Sequence, residues 1–205
     1  MASFLFGQPI FFDTQKDLLG DTHSEAEIRK MMAREAEKNI NINNAQNDAI
    51  LQVNGMKEEF GNGVCTRIIV YNASGGVLTN RNEKTWSGRW SKYKLPTTIE
   101  CGQWAAALHV KRSGAAAGSM GIMSYNMQGF NNVLCVGWDV PWSGSNHGSC
   151  YTMTTADWGK TSWETVEKWC ETDPAVGSDK CGSIRVDYNI DQDSSPILTV
   201  KITHL

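Results

Sequence analysis

The chain has 205 residues, 40% of them hydrophobic and 20% charged, with a formal net charge of −3. That length fits one globular domain, or one domain with an appendage, and the composition excludes a disordered chain. The acidic balance and the lack of a basic run exclude the counterion-displacing face of a nucleic-acid binder and a polybasic attachment to anionic lipid.

The first residues, MASFLFGQPIFFDTQKD, lack a basic leader segment, and Gly7, Gln8 and Pro9 interrupt the apolar run. No secretory signal is therefore expected. No window reaches the roughly 18 apolar residues of a membrane span. A cytoplasmic protein is expected. Residues 1–21 read as a short apolar-then-polar lead. Ser24 and Glu27 form a capping box, in which the serine oxygen takes an orphan N–H and the glutamate reaches back. Ile28, Met31, Met32, Ala36 and Ile40 follow at helical spacing. The run NININN (39–44) ends that helix, because Asn competes for backbone hydrogen bonds. A second helix is predicted over about 45–60, with Ala49, Ile50, Val53, Met56 and Phe60 as its apolar stripe, stopped by Gly61-Asn62-Gly63.

The texture then changes. VCTRIIVYN (64–72) is β-branched, and further strand candidates recur at 76–80, 84–90, 97–100, 103–110, 118–127, 132–140, 149–155, 182–190 and 196–203. Gly, Ser, Asn and Pro clusters separate them. Short strands at this spacing predict a mainly β protein, a sandwich or barrel, and not a parallel α/β sheet. Residues 1–62 are expected to be a helical extension packed on the core, and 63–205 a β-sandwich domain. TSWETVEKWC (161–170) places Trp163, Val166, Trp169 and Cys170 on one face, which predicts a short helix near 160–170 at the sheet edge.

Catalytic constellations are sparse. None of the six cysteines forms a C-x-x-C pair, so no metal site is expected. Buried free thiols are the default, although Cys170 and Cys181 flank a Pro/Gly loop and would meet if it were a hairpin. Asn72-Ala73-Ser74 is a glycosylation sequon that would go unused without secretion. His109 sits in a strand-like AALHV. His147 lies three residues before Cys150, the pairing a thiol nucleophile and base require, but no third orienting group is evident. Asp139, Asp157, Glu164 and Glu167 are carboxylates of the type used in pairs on sugars. GAAAGSMG (114–121) lacks the Gly-Lys-Ser/Thr of a phosphate loop. No catalytic residue and no cofactor are assigned.

Four short motifs carry a resemblance. They are Asn72 to Gly75; Pro96, Ile99 and Gly102; Ala116, Gly118, Gly121 and Tyr125; and Val140-Pro141-Trp142. With the closing ILTVKIT, they resemble the cytolysin/lectin superfamily of β-sandwiches, which includes actinoporins, fungal fruit-body lectins and a sphingomyelin-binding mushroom protein. Over its whole length the chain looks most like the plant 23-kDa jasmonate-induced proteins. The resemblance implies an actinoporin-like or lectin-like antiparallel β-sandwich with an N-terminal helical extension. It also implies a soluble, non-enzymatic, jasmonate- or stress-responsive plant defence protein. In actinoporins the loop after the Val-Pro-aromatic motif helps form an aromatic cage for phosphocholine, and a quaternary ammonium over π-faces is a sound physical basis for that.

Carried onto this chain, the resemblance marks Pro141, Trp142, Ala115 and Ala116. Tyr151 lies in the following strand. The family's further aromatics are replaced by Ser143-Gly144-Ser145-Asn146, whose polar side chains are expected to line a ligand. Trp158 and Trp163 would supply substitute rings. The expected ligand is a glycan or a phosphocholine-headgroup lipid, with peripheral membrane contact and no transmembrane segment. A second reading makes the 24–60 helices and the Trp-rich edge a protein–protein face, including a homo-oligomer through the Met31/Met32 stripe. A third is a hydrolase using Cys150 and His147 or a carboxylate pair.

Overall fold

The structure is a computed structural model that describes residues 4–20, 22–114 and 116–205. Its N-terminal third is helical. A two-residue strand, β1 (Leu5–Phe6), precedes α1 (Phe12–Leu19), α2 (Glu25–Lys38) and α3 (Ala45–Phe60). The Ser24 capping box forms as the sequence requires: Glu27 N–H donates to Ser24 Oγ, and Ser24 N–H donates to the Glu27 carboxylate at 2.8 Å. The Asn-rich break places Asn43 and Asn44 at φ 51° and 66°, a left-handed region that Asn enters more readily than most residues. Helix α1 was not legible in the lead. Its N-cap is Phe11, which offers no capping oxygen, and none of its residues is buried.

The remaining chain folds into two sheets. The first contains β1, β2 (Cys65–Ala73), β4 (Arg89–Trp90), β6 (Trp104–Val110), β10 (Val176–Cys181), β11 (Ile184–Ile190) and β12 (Ile197–His204). Its order is β1-β6-β2-β12-β11-β10, with β4 also pairing β6. The second sheet runs β5 (Thr98–Ile99), β3 (Leu78–Ser87), β7 (Ser119–Met127), β8 (Asn132–Val140), β9 (His147–Thr154). Among the described residues all pairs are antiparallel except β12 with β2. The architecture is the expected β-sandwich.

The inner faces form one apolar core, with Ile68, Val70, Val200 and Ile202 meeting Met123, Tyr125, Leu134 and Trp138. Helices cover both outer faces. On the first sheet, Ile28 and Met32 of α2 and Ala49, Val53 and Met56 of α3 lie on Ile69, Tyr71, Ala106 and Leu108. On the second, α4 (Thr155–Trp158) and α5 (Trp163–Thr172) set Trp158 and Val166 on Ile122, Val133 and Cys135. Strands buried on both faces read as continuous apolar runs, which is why CTRIIVYNA does not alternate.

Several expectations change. The candidates at 76–80 and 84–90 merge into β3, bulged between Asn80 and Asn82, except that the last two residues, Arg89 and Trp90, form β4 in the other sheet. Strand β10 is polar and was missed; it lies at the end of its sheet. Cys170 and Cys181 do not face each other across a hairpin. Cys170 is buried in α5 over Gly137, and Cys181 closes β10, paired with Ile184; both thiols are free. Met32 is buried against the first sheet and Met31 packs partly against the same cluster, so that stripe is not an open face.

The turn after β2 is closed by its own side chains. Asn72 Nδ2 donates to the carbonyls of Gly76 and Ile99 at 2.8 and 2.9 Å, and its Oδ1 accepts from the Ser74 N–H and hydroxyl at 3.1 and 2.7 Å. Arg29 Nη1 donates to Gly75 O at 3.2 Å and fastens α2 to this turn.

Candidate functional site

Strand β8 ends at Val140, and the next residue, Pro141, has no N–H to continue the ladder. The chain turns there, and Trp142 is left 55% exposed, while the other seven tryptophans are buried or half-buried. Three further loops meet at this end of the sandwich: 61–64 after α3, the described residues 111–114 and 116–118 between β6 and β7, and 191–196 between β11 and β12.

Contacts between these loops hold Trp142 in place. Gly63 has φ 134°, and a Cβ there would lie 2.6 Å from Lys111 Cε, so the Lys111 stem runs over a glycine. The Lys111 ammonium then sits 5.3 Å from the centroid of the Trp142 ring. A Cβ on Gly118 would lie 2.4 Å from the Val140 carbonyl, which is how closely the β6–β7 loop abuts the end of β8. Asn146 is buried. It donates to the carbonyls of Asp191 and Asp193 at 2.8 and 2.7 Å, and its backbone N–H and C=O both engage the Gln192 amide at 3.0 Å. Asn146, expected at a ligand, pins one loop to another through its amide.

The other expected residues divide by position. Trp142, Ser143, Ser145 and Ala116 are exposed on neighbouring loops of this end. Ala115 lies outside the described residues. Tyr151 is on the outer face of β9, its hydroxyl donating to Asp173 Oδ2 at 2.6 Å and its ring 4.8 Å from that of Trp169. Trp158 is a core residue under α4. Trp163 is wedged between Trp86 and Trp158, with ring centroids 6.3 and 5.9 Å away. Helix α4 follows the far end of β9, beside Asn131, so the length of β8 separates it from the Trp142 loop, about 26 Å at about 3.3 Å per residue. The structure thus sets Trp142 and Lys111 together and does not assemble a cage from Trp142, Tyr151, Trp158 and Trp163. Lys111 was missed because it sits 31 residues away in sequence, and only the sandwich topology brings it to Trp142.

The hydrolase constellations also come apart. Cys150 points into the inter-sheet core, and burial pushes its thiol far above the ordinary range. His147 is hydrogen-bonded through Nδ1 to the Asp173 carbonyl at 2.6 Å, with the N–H donating. Three residues apart on one strand, the two point to opposite faces. His109 is buried beside Trp90 and Trp138, bonds Ser119 Oγ at 2.9 Å, and is pushed down to about 3 by desolvation and then by Arg89. Asp139 pairs across the strands with His147 at the Trp142 end, and burial pushes its carboxyl up to about 6. Asp157 lies at the other end and caps α4 with Thr154. Glu164 and Glu167 are on α5, Glu164 exposed. Among the described residues no group of three or more His, Cys, Asp or Glu is placed to hold a metal.

The fold defines the class of protein, a β-sandwich clad with helices on both outer faces and carrying its exposed aromatic on an end loop. Residues 6–205 match the family described as Nakanori-like protein. The chain is 35% identical over 150 residues to the 23 kDa jasmonate-induced protein of barley (Hordeum vulgare), spanning 71% of this chain and 70% of that protein. This chain belongs to the Nakanori-like family. The crystal structure of the lipid binding protein Nakanori has the same fold, with a TM-score of 0.86 at 23% sequence identity over 98% of this chain and 100% of that one.

Proposed function

We propose that this chain is a non-enzymatic, stress-responsive lipid-binding protein that docks on a membrane surface by its Trp142 end, taking a choline-type phospholipid headgroup. The observation that carries this reading is Trp142, more than half exposed at a loop tip with the Lys111 ammonium against its ring. An indole favours the boundary between headgroup and acyl chain, where its apolar face and its N–H are both accommodated. Ser143, Gly144 and Ser145 leave the ring's surroundings free of bulk. The family, the barley relative and the fold of the lipid-binding Nakanori support the same reading. No described helix is long and apolar enough to cross a membrane, so the contact proposed is peripheral.

The test is flotation of purified protein with phosphatidylcholine vesicles, with and without sphingomyelin and sterol. With 55% of its surface exposed, Trp142 has about 130 Å² to bury, about 3 kcal/mol at about 25 cal/mol per Å² if it is wholly removed from water. Trp142→Ala should therefore lower vesicle partitioning by about 10- to 100-fold with little change in melting temperature. If the wild type stays with the soluble fractions on every vesicle, or Trp142→Ala floats as well as the wild type, the reading fails. Competition by soluble sugars but not by phosphocholine would transfer the loop to a glycan.

A further inference from the structure

The sequence contains two Asn-Gly pairs, Asn54-Gly55 inside α3 and Asn62-Gly63 in the loop that follows it. We infer that Asn62 is a site of spontaneous covalent modification, at which the folded chain converts the side-chain amide to a carboxylate, and that the same fold holds the Asn54 pair inert. Neither outcome requires a ligand at the Trp142 loop.

The reaction needs only the chain and water. The backbone nitrogen of Gly63 gives its proton to solvent and attacks Cγ of Asn62. The N–Cγ bond forms, the Cγ–Nδ2 bond breaks, and the side-chain nitrogen takes up a proton and leaves as ammonia, giving a five-membered succinimide. Water then opens the ring at either carbonyl. The product is Asp or, with the backbone routed through the side chain, isoAsp. One water is consumed and one ammonia released, with no change in oxidation state. The attack is intramolecular, so its rate is set by whether the nitrogen can reach the carbon. Glycine lacks the Cβ that would shield that nitrogen.

At Asn62 nothing opposes that approach. The residue is exposed, and neither its side chain nor the Gly63 N–H makes a hydrogen bond among the described residues. Gly63 has φ 134°, outside the helical range. The loop is anchored on both sides of the pair and free at the pair itself. Gly61 N–H donates to Lys57 O at 3.0 Å, Lys57 Nζ donates to the Gly61 carbonyl, and Lys111 N–H donates to Val64 O at 3.0 Å. The Lys57 ammonium on the peptide before Asn62 favours the negative charge of the attacking nitrogen. Asn54 is the opposite case. Its Oδ1 accepts from Arg67 Nη1 at 2.6 Å, and the Gly55 N–H is committed to the helix ladder, pointing back along the axis. Attack there requires α3 to open first, so the rate falls with the open fraction. Conversion at Asn62 adds one negative charge, which takes the formal net charge from −3 to −4, on the loop that the Lys111 stem crosses.

The test is peptide mapping by mass spectrometry of the full-length chain aged in warm, mildly alkaline buffer, with an unaged digest as the baseline. Trypsin cuts after Lys38, Lys57 and Arg67, so residues 58–67 leave as one peptide in which Asn62 is the only amide side chain, and residues 39–57 carry Asn54. In the folded chain Asn62 should convert about 10-fold or more faster than Asn54, the factor that a modest helix-opening cost imposes. In urea the two pairs should convert at similar rates, because both are then unstructured. Asn62→Gln, at an exposed position, should fold normally and leave peptide 58–67 unchanged, since the longer side chain closes its ring slowly. On anion exchange the aged wild type should gain an acidic form that elutes with Asn62→Asp. The inference is overturned if Asn62 stays unmodified in the folded chain, if Asn54 converts as fast as Asn62 there, or if Asn62→Gln gains the acidic form to the same extent.

Discussion

Replacing Asn72 with Ala tests the closure of the turn between the two sheets. Asn72 is wholly buried and makes four hydrogen bonds, two as donor to carbonyls and two as acceptor from Ser74. Alanine leaves the carbonyls of Gly76 and Ile99 and the N–H of Ser74 without these partners in a site closed to water. Each buried orphan costs about 1–3 kcal/mol, and the Ser74 hydroxyl retains a contact to Gly76 O at 3.3 Å, so the sum is about 3–5 kcal/mol. That is a large share of the roughly 5–15 kcal/mol by which domains are stable. Asn72→Asp separates geometry from charge. It keeps the acceptor side but turns a carboxylate toward two carbonyls, which raises its folded pKa above the unfolded value. Its stability is then highest in acid and is lost as pH rises through the folded pKa. Urea denaturation of wild type, Asn72→Ala and Asn72→Asp at two pH values reads all of this. A cost below about 1 kcal/mol for the alanine variant would refute the bookkeeping of orphaned groups.

Two further predictions follow from burial. Five thiols are buried, and desolvation raises Cys101 and Cys170 to about 12, whereas Cys181 is half-buried on β10, so a thiol reagent should label one cysteine quickly in the native protein and the rest only on unfolding. Fast labelling of a second native cysteine would contradict the packing of the strands. The Asp139 carboxyl, raised to about 6 by burial, lies above its unfolded value, so its contribution is present in acid and lost as pH rises between about 4 and 6. Asp139→Asn should therefore match the wild type near pH 4 and exceed it above pH 7 by about 1 kcal/mol after solvent screening; equal differences at both pH values would refute this.

Much of the fold was legible because local chemistry agreed with tertiary packing. The Ser24 box, the Asn break and the Gly61 stop bounded α2 and α3, and their stripes named the residues that meet the first sheet. Helix α1 and strand β10 were not legible, since Phe11 caps nothing and VGSDKC has no apolar face to advertise. The site was legible only in part. Pro141 followed by Trp142 marked a strand exit, and the exposed indole is there. Nothing local distinguishes Trp142 from Trp158 or Trp163, whose burial depends on which sheet face α4 and α5 cover. Asn146 looked like a loop acceptor, yet its amide is consumed by the 191–193 carbonyls, and Lys111 looked like any basic residue after a strand.

The architecture itself limits where a ligand can be held. α2 and α3 cover β2 and β6 of one sheet, and α4 and α5 cover β7 and β8 of the other. The β9 and β10 edges are tied to each other, with the Thr152 N–H donating to Asp179 Oδ2 at 2.9 Å and Asn132 Nδ2 donating to the Cys181 carbonyl at 3.2 Å. At the two ends, turns expose groups that no ladder consumes. They differ in chemistry. One presents a protruding indole with a cation at its face, which suits a surface that the ring can enter. The other carries a hollow walled by Glu25, Glu27, Arg29 and Lys30, where acidic and basic side chains balance. Trp142→Ala should therefore weaken vesicle binding and leave the far end of the sandwich unchanged.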